Sequence, residues 1–388
     1  MSTEKRVCAR CIMDESAKEI IFNDIGICNF CEEFMERSHS QSQIANMSKD
    51  DQLSEFIQRV KKDGTGKNYD CIVGLSGGVD SSWVLIKAIE FGLRPLAVHM
   101  DNGWNSELAQ HNISNLVKGL GVDLVTHVID WTEYRNLMQS FFDADVVDVE
   151  LLYDNAMFGV NYQQARKFGI KHILGGMNLA TEGMKMPAEW NQLKFDKRNI
   201  KSIVKQFGDY KIESFPIIGI VGWLFQEFIA RRKWASILDF IDYDKKNVLS
   251  VLTQEYGYKP YPYKHYESIF TRFYQGYLLP EKFGFDKRRV HFSTLIISGL
   301  MSRDEALKNL EIKYAYPSMM EMERDKDYFL KKMQWSESQL EEYLTRPPIS
   351  HLSYPSDKKL YDFLLKIYRR GSSIKNNFLK LNGKNSSR

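Results

Sequence analysis

Residues 71–85 read CIVGLSGGVDSSWVL. An apolar run ends in Ser76, Gly77, Gly78, Asp80, Ser81 and Ser82, and an apolar-periodic stretch resumes at once. Paired glycines after a strand adopt φ values closed to other residues and let backbone N–H groups point at an anion. The three serines add hydroxyl donors, and a helix starting here presents its positive end. Asp80 is out of place in a simple anion cradle: it either meets phosphates through a magnesium ion or caps the helix. The chemistry implied is the handling of a polyphosphate. The nucleotide P-loop needs a lysine after its glycines and the dinucleotide fingerprint needs Gly-x-Gly-x-x-Gly; neither is present.

A second set of chemistry-bearing residues opens the chain. Cys8, Cys11, Cys28 and Cys31 form C-x2-C-x16-C-x2-C, the spacing of a four-thiolate zinc site. Each pair makes a tight knuckle, and Gly26 suits the turn before the second. Four thiolates leave no open coordination position, so the zinc is expected to be structural. The rival is a redox-active or iron–sulfur set. The fifth cysteine, Cys71, lies in an apolar run and reads as a core thiol rather than a catalytic one.

The elements that must position these residues follow from periodicity. YDCIVGL (69–75), RPLAVHM (94–100), DLVTHVI (123–129) and KHILGG (171–176) read as strands. Helical patterns at 80–91, 105–120 and 155–168 come between them. In the first of those helices Val84, Leu85, Ala88 and Ile89 point inward. Alternation of this kind predicts an α/β parallel sheet covered on both faces, with ligands beyond the C-terminal strand ends, where the glycine loop falls. Five segments are expected: a zinc ribbon over 1–40, a helical linker over 41–68, a core carrying the glycine loop over 69–190, a mostly helical region over 191–345, and a C-terminal helix with a frayed basic tail over 346–388. In the linker, Leu53, Phe56, Ile57 and Val60 keep helical spacing.

Composition narrows the class. The chain has 388 residues, 43% hydrophobic and 27% charged, with a net charge of +3. That is ordinary for a soluble globular protein and gives no support for a general nucleic-acid binder. No stretch approaches the roughly 20 apolar residues of a membrane span. The most apolar segment, FPIIGIVGWLFQEFIA (215–230), is too short, is followed by Arg231, Arg232 and Lys233, and reads as a core helix. MSTEKRVCAR has no apolar h-region. A cytoplasmic protein without membrane contact is expected.

SGGVDSS resembles the PP-loop of the ATP pyrophosphatases, which include GMP synthetase, asparagine synthetase and the tRNA-thiolation enzymes. That resemblance implies an adenine nucleotide alpha hydrolase-like fold and a loop that holds the β,γ-pyrophosphate while the α-phosphate is attacked. Asp101 and Asn102 after the second strand, and Gly175, Gly176 and Asn178 after the fourth, then fall at the ligand edge. More narrowly, CARCIMDESAKEIIFNDIGICNFC, SGGVDSS, MPAEWNQLKFDKRNIKSIVKQFG (186–208) and KHYESIFTRFYQGYLLPEKFGFDKRRVHFSTLIISGLMSRDEAL (264–307) are similar to the N-acetyl sugar amidotransferases of bacterial surface-polysaccharide and flagellar-glycan biosynthesis. The similarity runs from about residue 7 to 340.

Such a resemblance implies an ATP-dependent, AMP-forming ligase that turns an acetamido group of a nucleotide-linked sugar into an acetamidino group. The sugars concerned are O-antigen (lipopolysaccharide) mannuronic acid derivatives or nonulosonic acids such as pseudaminic acid. An amide oxygen is a poor leaving group; attack on the α-phosphate of ATP makes it part of AMP, which departs when ammonia adds at carbon. Positioning and charge stabilisation carry this chemistry. Asp80, Lys287 and Arg288 are the candidate catalytic residues, with Arg289 on the phosphates. Lys264 and Arg272 are candidates for phosphates or a sugar nucleotide's diphosphate. Glu182 and Glu267 are candidates to orient ammonia or take its proton. The aromatic stretch YGYKPYPYKHYESIFTRFYQGY reads as core or interface rather than a stacking platform.

Ammonia needs a source. A glutaminase needs a cysteine as first residue or on a nucleophile elbow; Ser2 follows Met1, and four of the five cysteines are zinc ligands. The resemblance implies a separate glutaminase and a barrel-type ammonia-channel subunit as partners. Two other readings compete: a tRNA-modifying PP-loop enzyme of the thiolation type, for which only Cys71 is left to carry sulfur, and an ATP-sensing zinc-ribbon binding module.

Overall fold

The structure is a computed structural model and describes residues 5–44 and 47–367; the tail expected to be frayed, 371–388, lies outside the described residues. Strands β1 (Cys71–Gly74), β2 (Pro95–Asp101), β3 (Leu124–Val128), β4 (His172–Leu174) and β5 (Lys233–Ala235) form one sheet in the order β3-β2-β1-β4-β5. Every neighbouring pair is parallel. The chain runs β1 to β2 to β3 in one direction, then returns to the other side of β1 with β4 and β5. The reversal leaves a crevice between the C-terminal ends of β1 and β4, where doubly wound sheets bind ligands.

Six helices precede or cover the sheet: α1 (Asn29–Ile44), α2 (Lys49–Asp63), α3 (Val79–Glu90), α4 (Glu107–Leu120), α5 (Trp131–Asp143) and α6 (Leu151–Lys167). Side chains alternate between faces along a strand, so each strand feeds two cores. Ile72, Leu96, Val98 and Ile173 pack on the face shared with α5 and α6. Cys71, Val73, Ala97 and Leu174 pack on the opposite face with α2, α3 and α4. Phe56, Ile57 and Val60 of α2 are buried at their predicted helical spacing. Serines at 48 and 106 and Asp130 cap α2, α4 and α5 by accepting a first-turn N–H.

The first core does not stop at the sheet. It continues through Phe270, Phe273, Tyr274, Phe329 and Tyr343 of the C-terminal helices and through Met13, Phe30 and Phe34 beside the cysteines. The ribbon is stitched to the late chain by polar contacts as well. Arg303 donates to the Cys8 and Cys11 carbonyls, Ser293 Oγ accepts from Ile12 N at 3.2 Å, and Arg289 donates to the Ile12 carbonyl at 2.8 Å.

Two segments depart from the sequence-based expectation. β5 falls within the stretch read as mostly helical; at three residues it is too short to show any periodicity. The apolar run 215–230 is not a core helix. It enters buried at Phe215, Ile218 and Ile220, then makes an α-helical turn (Ile220–Leu224) and a π-helical turn (Phe225–Ile229) that leave Val221 76% and Ile229 71% exposed. Among the described residues no helix is long and apolar enough to cross a membrane.

Candidate active site

Four thiols converge near the N-terminus. Cys8, Cys11, Cys28 and Cys31 are fully buried, and their sulfurs all lie within 4.8 Å of one another. The Cys8–Cys31 and Cys11–Cys28 separations are 3.8 and 3.7 Å. A tetrahedron with the roughly 2.3 Å Zn–S bond as its radius has edges of about 3.8 Å, so the donor set fits zinc without rearrangement. Backbone N–H groups of Cys11 and Cys28 point at Cys8 Sγ and that of Met13 at Cys11 Sγ, at 3.3–3.5 Å. Such donors favour thiolates. Gly26 takes φ +79° at the turn before the second knuckle, as its position required. These cysteines can hold a structural metal.

The glycine loop sits in the crevice. It leaves β1 at Gly74 and enters α3 at Val79. Gly77 takes φ +85°, and a Cβ there would lie 3.0 Å from the Ala109 carbonyl oxygen, so a side chain is excluded twice over. No side chain caps α3, whose N-cap is Gly78. The N–H groups of its first turn therefore have no intrahelical or capping acceptor and face the space beyond. Ser81 Oγ and Ser82 Oγ both donate to the Gly78 carbonyl, at 3.1 and 2.8 Å, and tie the loop to its helix. Gly176, after β4, packs so close that a Cβ would lie 2.9 Å from Ser81 N.

Three tyrosines from the segment after β5 fix the loop from outside. Tyr258 and Tyr261 donate their hydroxyls to the Gly77 carbonyl at 3.1 and 3.0 Å, and Tyr243 donates to Asp80 Oδ1. Burial and then the neighbouring Asp80 carboxylate push the Tyr243 phenol well up, so it stays a donor. The carboxylate is thereby held at the mouth of the uncapped helix, the place where a cation between carboxylate and phosphate would be bound.

Beyond the loop lies a cavity of about 1070 Å³. Ser76, Gly78, Asp80, Ser81 and Gly175 line it. Glu182, Lys264, His265 and Glu267 lie beside them, and Glu150, Asp154, Lys194 and Lys287 line the rest with Phe158, Phe195, Trp223 and Trp234. Its volume exceeds what a single drug-sized ligand needs, so two substrates fit side by side. The charges are largely balanced in pairs: Lys287 with Glu150 at 2.8 Å, Lys194 with Asp154 and Asp148 at 2.8 Å each, and Lys264 with Glu182 at 2.5 Å. Burial alone would lower the Lys194 pKa, but Asp148 and Asp154 outweigh it and hold the ammonium well above the usual lysine range. Burial would likewise raise Glu267; the neighbouring His265 and Lys264 outweigh it and hold the carboxyl down.

The structure divides the candidates read from the sequence. Ser76, Gly78, Asp80, Ser81, Gly175, Glu182, Lys264, Glu267 and Lys287 meet in this one cavity. Gly77 and Ser82 shape the loop without lining it. Arg288 binds Asp286 and the carbonyls of Asn309 and Ile312, and Arg289 pairs with Asp14 at 3.1 Å. Both anchor other segments, because α-helical geometry swings consecutive residues about 100° apart and only Lys287 faces inward. Arg272 forks onto Asp325. Asp101 accepts from Gly103 N and Asn105, and Asn178 caps the turn Leu179–Glu182. Of the aromatic stretch, Tyr258, Tyr266 and Tyr274 are core, whereas Tyr261 and Tyr263 line the cavity.

Sequence reasoning missed Tyr243, Lys245, His265, Lys194 and Glu150. Lys245 lines the cavity and, among the described residues, has no ion-pair partner; its place two residues after Tyr243 was the only signal. His265 carried a visible one, a histidine inside KHYE beside two charged residues.

Several known proteins share parts of this chain. An uncharacterized protein of Methanocaldococcus jannaschii, MJ1599, is 32% identical over 128 residues, which are 32% of this chain and 44% of that protein. The chain thus spans less than half the length of that relative. Among solved structures, NMN synthetase from Francisella tularensis aligns with 57% of this chain and 100% of its own, at 13% identity and a TM-score of 0.29. The NH3-dependent NAD synthetase from Campylobacter jejuni aligns with 56% and 100%, at 14% identity and a TM-score of 0.27. Overlaps this loose leave the fold to rest on its own strand order. A family model does match: residues 267–368 fit the C-terminal domain of WbpG-like LPS biosynthesis proteins. That span supplies Glu267, Thr271, Gln275 and Lys287 to the cavity. Residues 267–368 of this chain are thus similar to the C-terminal domain of the WbpG-like lipopolysaccharide-biosynthesis proteins.

Proposed function

We propose that this protein is an ATP-dependent amidotransferase that converts the acetamido group of a nucleotide-linked sugar into an acetamidino group, releasing AMP and pyrophosphate. The observation that carries the reading is a shared cavity: the phosphate-type loop Ser76–Ser81 and the lipopolysaccharide-family residues Glu267 and Lys287 line the same space. Magnesium, when bound at Asp80, supplies charge neutralisation between that carboxylate and the phosphates. The uncapped start of α3, with Ser76 and Ser81, receives the pyrophosphate oxygens, and Lys245 and Lys287 balance their charge. The aromatic end of the cavity, with Trp223 and Phe195, takes the sugar nucleotide and keeps water from the activated carbon. The amide oxygen attacks the α-phosphate, pyrophosphate leaves, ammonia adds at carbon and AMP departs.

A sulfur-transfer reading finds no support in the one cysteine outside the ribbon. Cys71 is 0% exposed inside β1, and burial pushes its thiol well up, so it holds no thiolate. A separate glutaminase and a barrel-type channel subunit supply the ammonia in this proposal, and free ammonium replaces them in vitro.

The test mixes the protein with ATP, magnesium, ammonium and UDP- or CMP-linked acetamido sugars and measures AMP. AMP that depends on an acetamido sugar is expected. AMP formed with tRNA and with no sugar would overturn the reading. An ¹⁸O label in the acetamido oxygen must appear in AMP; label kept on the sugar refutes O-adenylation.

A further inference from the structure

Ammonia attack leaves a problem that the loop does not solve. The new C–N bond puts a positive charge on nitrogen, and while that nitrogen keeps all its protons, ammonia is a better leaving group than AMP. One N–H proton must go before the C–O bond to AMP breaks, so a base with a usable lone pair has to face the activated carbon.

The cavity's carboxylates are otherwise engaged. Asp80 accepts from Tyr243; Glu150 from Lys287 at 2.8 Å and Gln275 at 2.8 Å; Asp154 pairs with Lys194 at 2.8 Å; Glu182 with Lys264 at 2.5 Å; and Glu227 with Lys233 at 2.9 Å. Each already accepts from a donor that competes with a substrate proton. The half-buried His291 sets its Nδ1 against the Thr181 carbonyl at 3.2 Å and does not line the cavity.

His265 differs from all of these. Its side chain is 39% exposed and lines the cavity, with Nδ1 3.7 Å from Glu267 Oε1. Glu267 in turn stands on the phosphate loop: a Cβ on Gly78 would lie 3.6 Å from its Oε1. Of the four non-glycine residues with positive φ among those described, Asp145, Arg231, His265 and Gln334, His265 alone lines the cavity, at φ +66°. A left-handed backbone costs a non-glycine residue free energy and persists where the surroundings enforce it. Here the Lys264–Glu182 pair on one side and the Ser106 N–H donating to the Glu267 carbonyl at 2.9 Å on the other hold the turn.

We infer that His265, oriented through Nδ1 by the Glu267 carboxylate, is the base that takes the proton from the attacking ammonia, an inference that rests on the amidation reading. The balance is simple. The ammonia lone pair forms the C–N bond, one N–H proton passes to His265 Nε2, and the C–O electron pair leaves with AMP. Glu267 keeps its negative charge and stabilises the imidazolium, the role an orienting carboxylate plays beside any histidine base.

The experiment compares two nucleophiles on one variant. Asparagine tolerates a left-handed backbone, so His265→Asn keeps the turn while removing the base. Amidine formation with ammonia is expected to fall about 10²-fold. Hydroxylamine gives a far more acidic adduct that loses its proton to water, so its turnover should fall only a few-fold. Glu267→Gln should show the same selective loss, smaller in size. Because each preparation yields a ratio of two rates, partial unfolding does not mimic the result. Equal losses with both nucleophiles, or no loss with ammonia, would overturn the role of His265 alone. Wild-type protein that makes no AMP with any acetamido sugar would overturn the amidation reading and this role with it.

Discussion

At the scale of single residues, the site separates groups that meet phosphate from groups that hold the protein together. Asp80→Asn keeps an acceptor for Tyr243 but removes the charge that would bind a cation. Acetamido-sugar-dependent AMP formation should fall at least about 10²-fold with an unchanged melting curve; full activity would take Asp80 out of the chemistry. Lys245→Met and Arg288→Met should behave oppositely. The first raises the KM for ATP and leaves stability alone, since Lys245 has no ion-pair partner among the described residues. The second leaves turnover per folded molecule alone, because Arg288 serves Asp286 and the carbonyls of Asn309 and Ile312. Losing those contacts should cost about 0.5–1.5 kcal/mol, read as a lower urea midpoint. Asp80 and the loop serines were legible in the sequence because their whole context is seven consecutive residues. Lys245 was not, and the local signal around His265 could not place it, because what gives both their meaning is a loop lying more than 150 residues earlier in the chain.

Among elements, the loop depends on tyrosines that lie well over 100 residues later in the chain. The Gly77 carbonyl accepts two tyrosine hydroxyls, which fixes the peptide plane that decides where the neighbouring N–H groups point. Each bond contributes about 0.5–1.5 kcal/mol. A Tyr258→Phe/Tyr261→Phe double variant should therefore raise the KM for ATP about tenfold, while the KM for the acetamido sugar stays put; a change confined to the sugar would contradict this. Strands β1, β2 and β4 could be found from their apolar runs because both faces are buried. The stretch 215–230 misled for the complementary reason. Composition reports how apolar a segment is, and only packing decides that Val221 and Ile229 stay outside.

For the whole molecule, stability is expected to rest on a metal held by the four cysteines and on buried polar groups near the C-terminal segment. Metal analysis should find about one zinc per chain, absent from a Cys8/Cys11/Cys28/Cys31→Ser variant with a lower melting temperature; an unchanged melt without zinc would contradict a structural role. Acid should also weaken the fold. Burial pushes the His351 imidazole from 6.5 down to about 4, with Asn199 Oδ1 at 2.7 Å from its Nδ1. The folded chain keeps it neutral while the unfolded chain binds a proton below about pH 6.5. Its contribution is thus complete above pH 6.5 and is lost as pH falls towards 4, by up to about 3 kcal/mol. Urea titrations at pH 7 and 5 should show the loss, and His351→Gln should shrink it.

The grip of Ser293, Arg289 and Arg303 on the first knuckle also sets an order of events during synthesis. These contacts span 277–295 residues of chain. At roughly 5–20 residues per second, the four cysteines leave the ribosome about 15–60 s before the side chains that seal them. Newly made ribbon is therefore open to metal exchange, and to oxidation of its thiols, for a period that the finished protein never offers again. Zinc supplied while the chain is being translated should therefore load the four cysteines more fully than zinc added to the finished protein, which metal analysis of the two preparations checks.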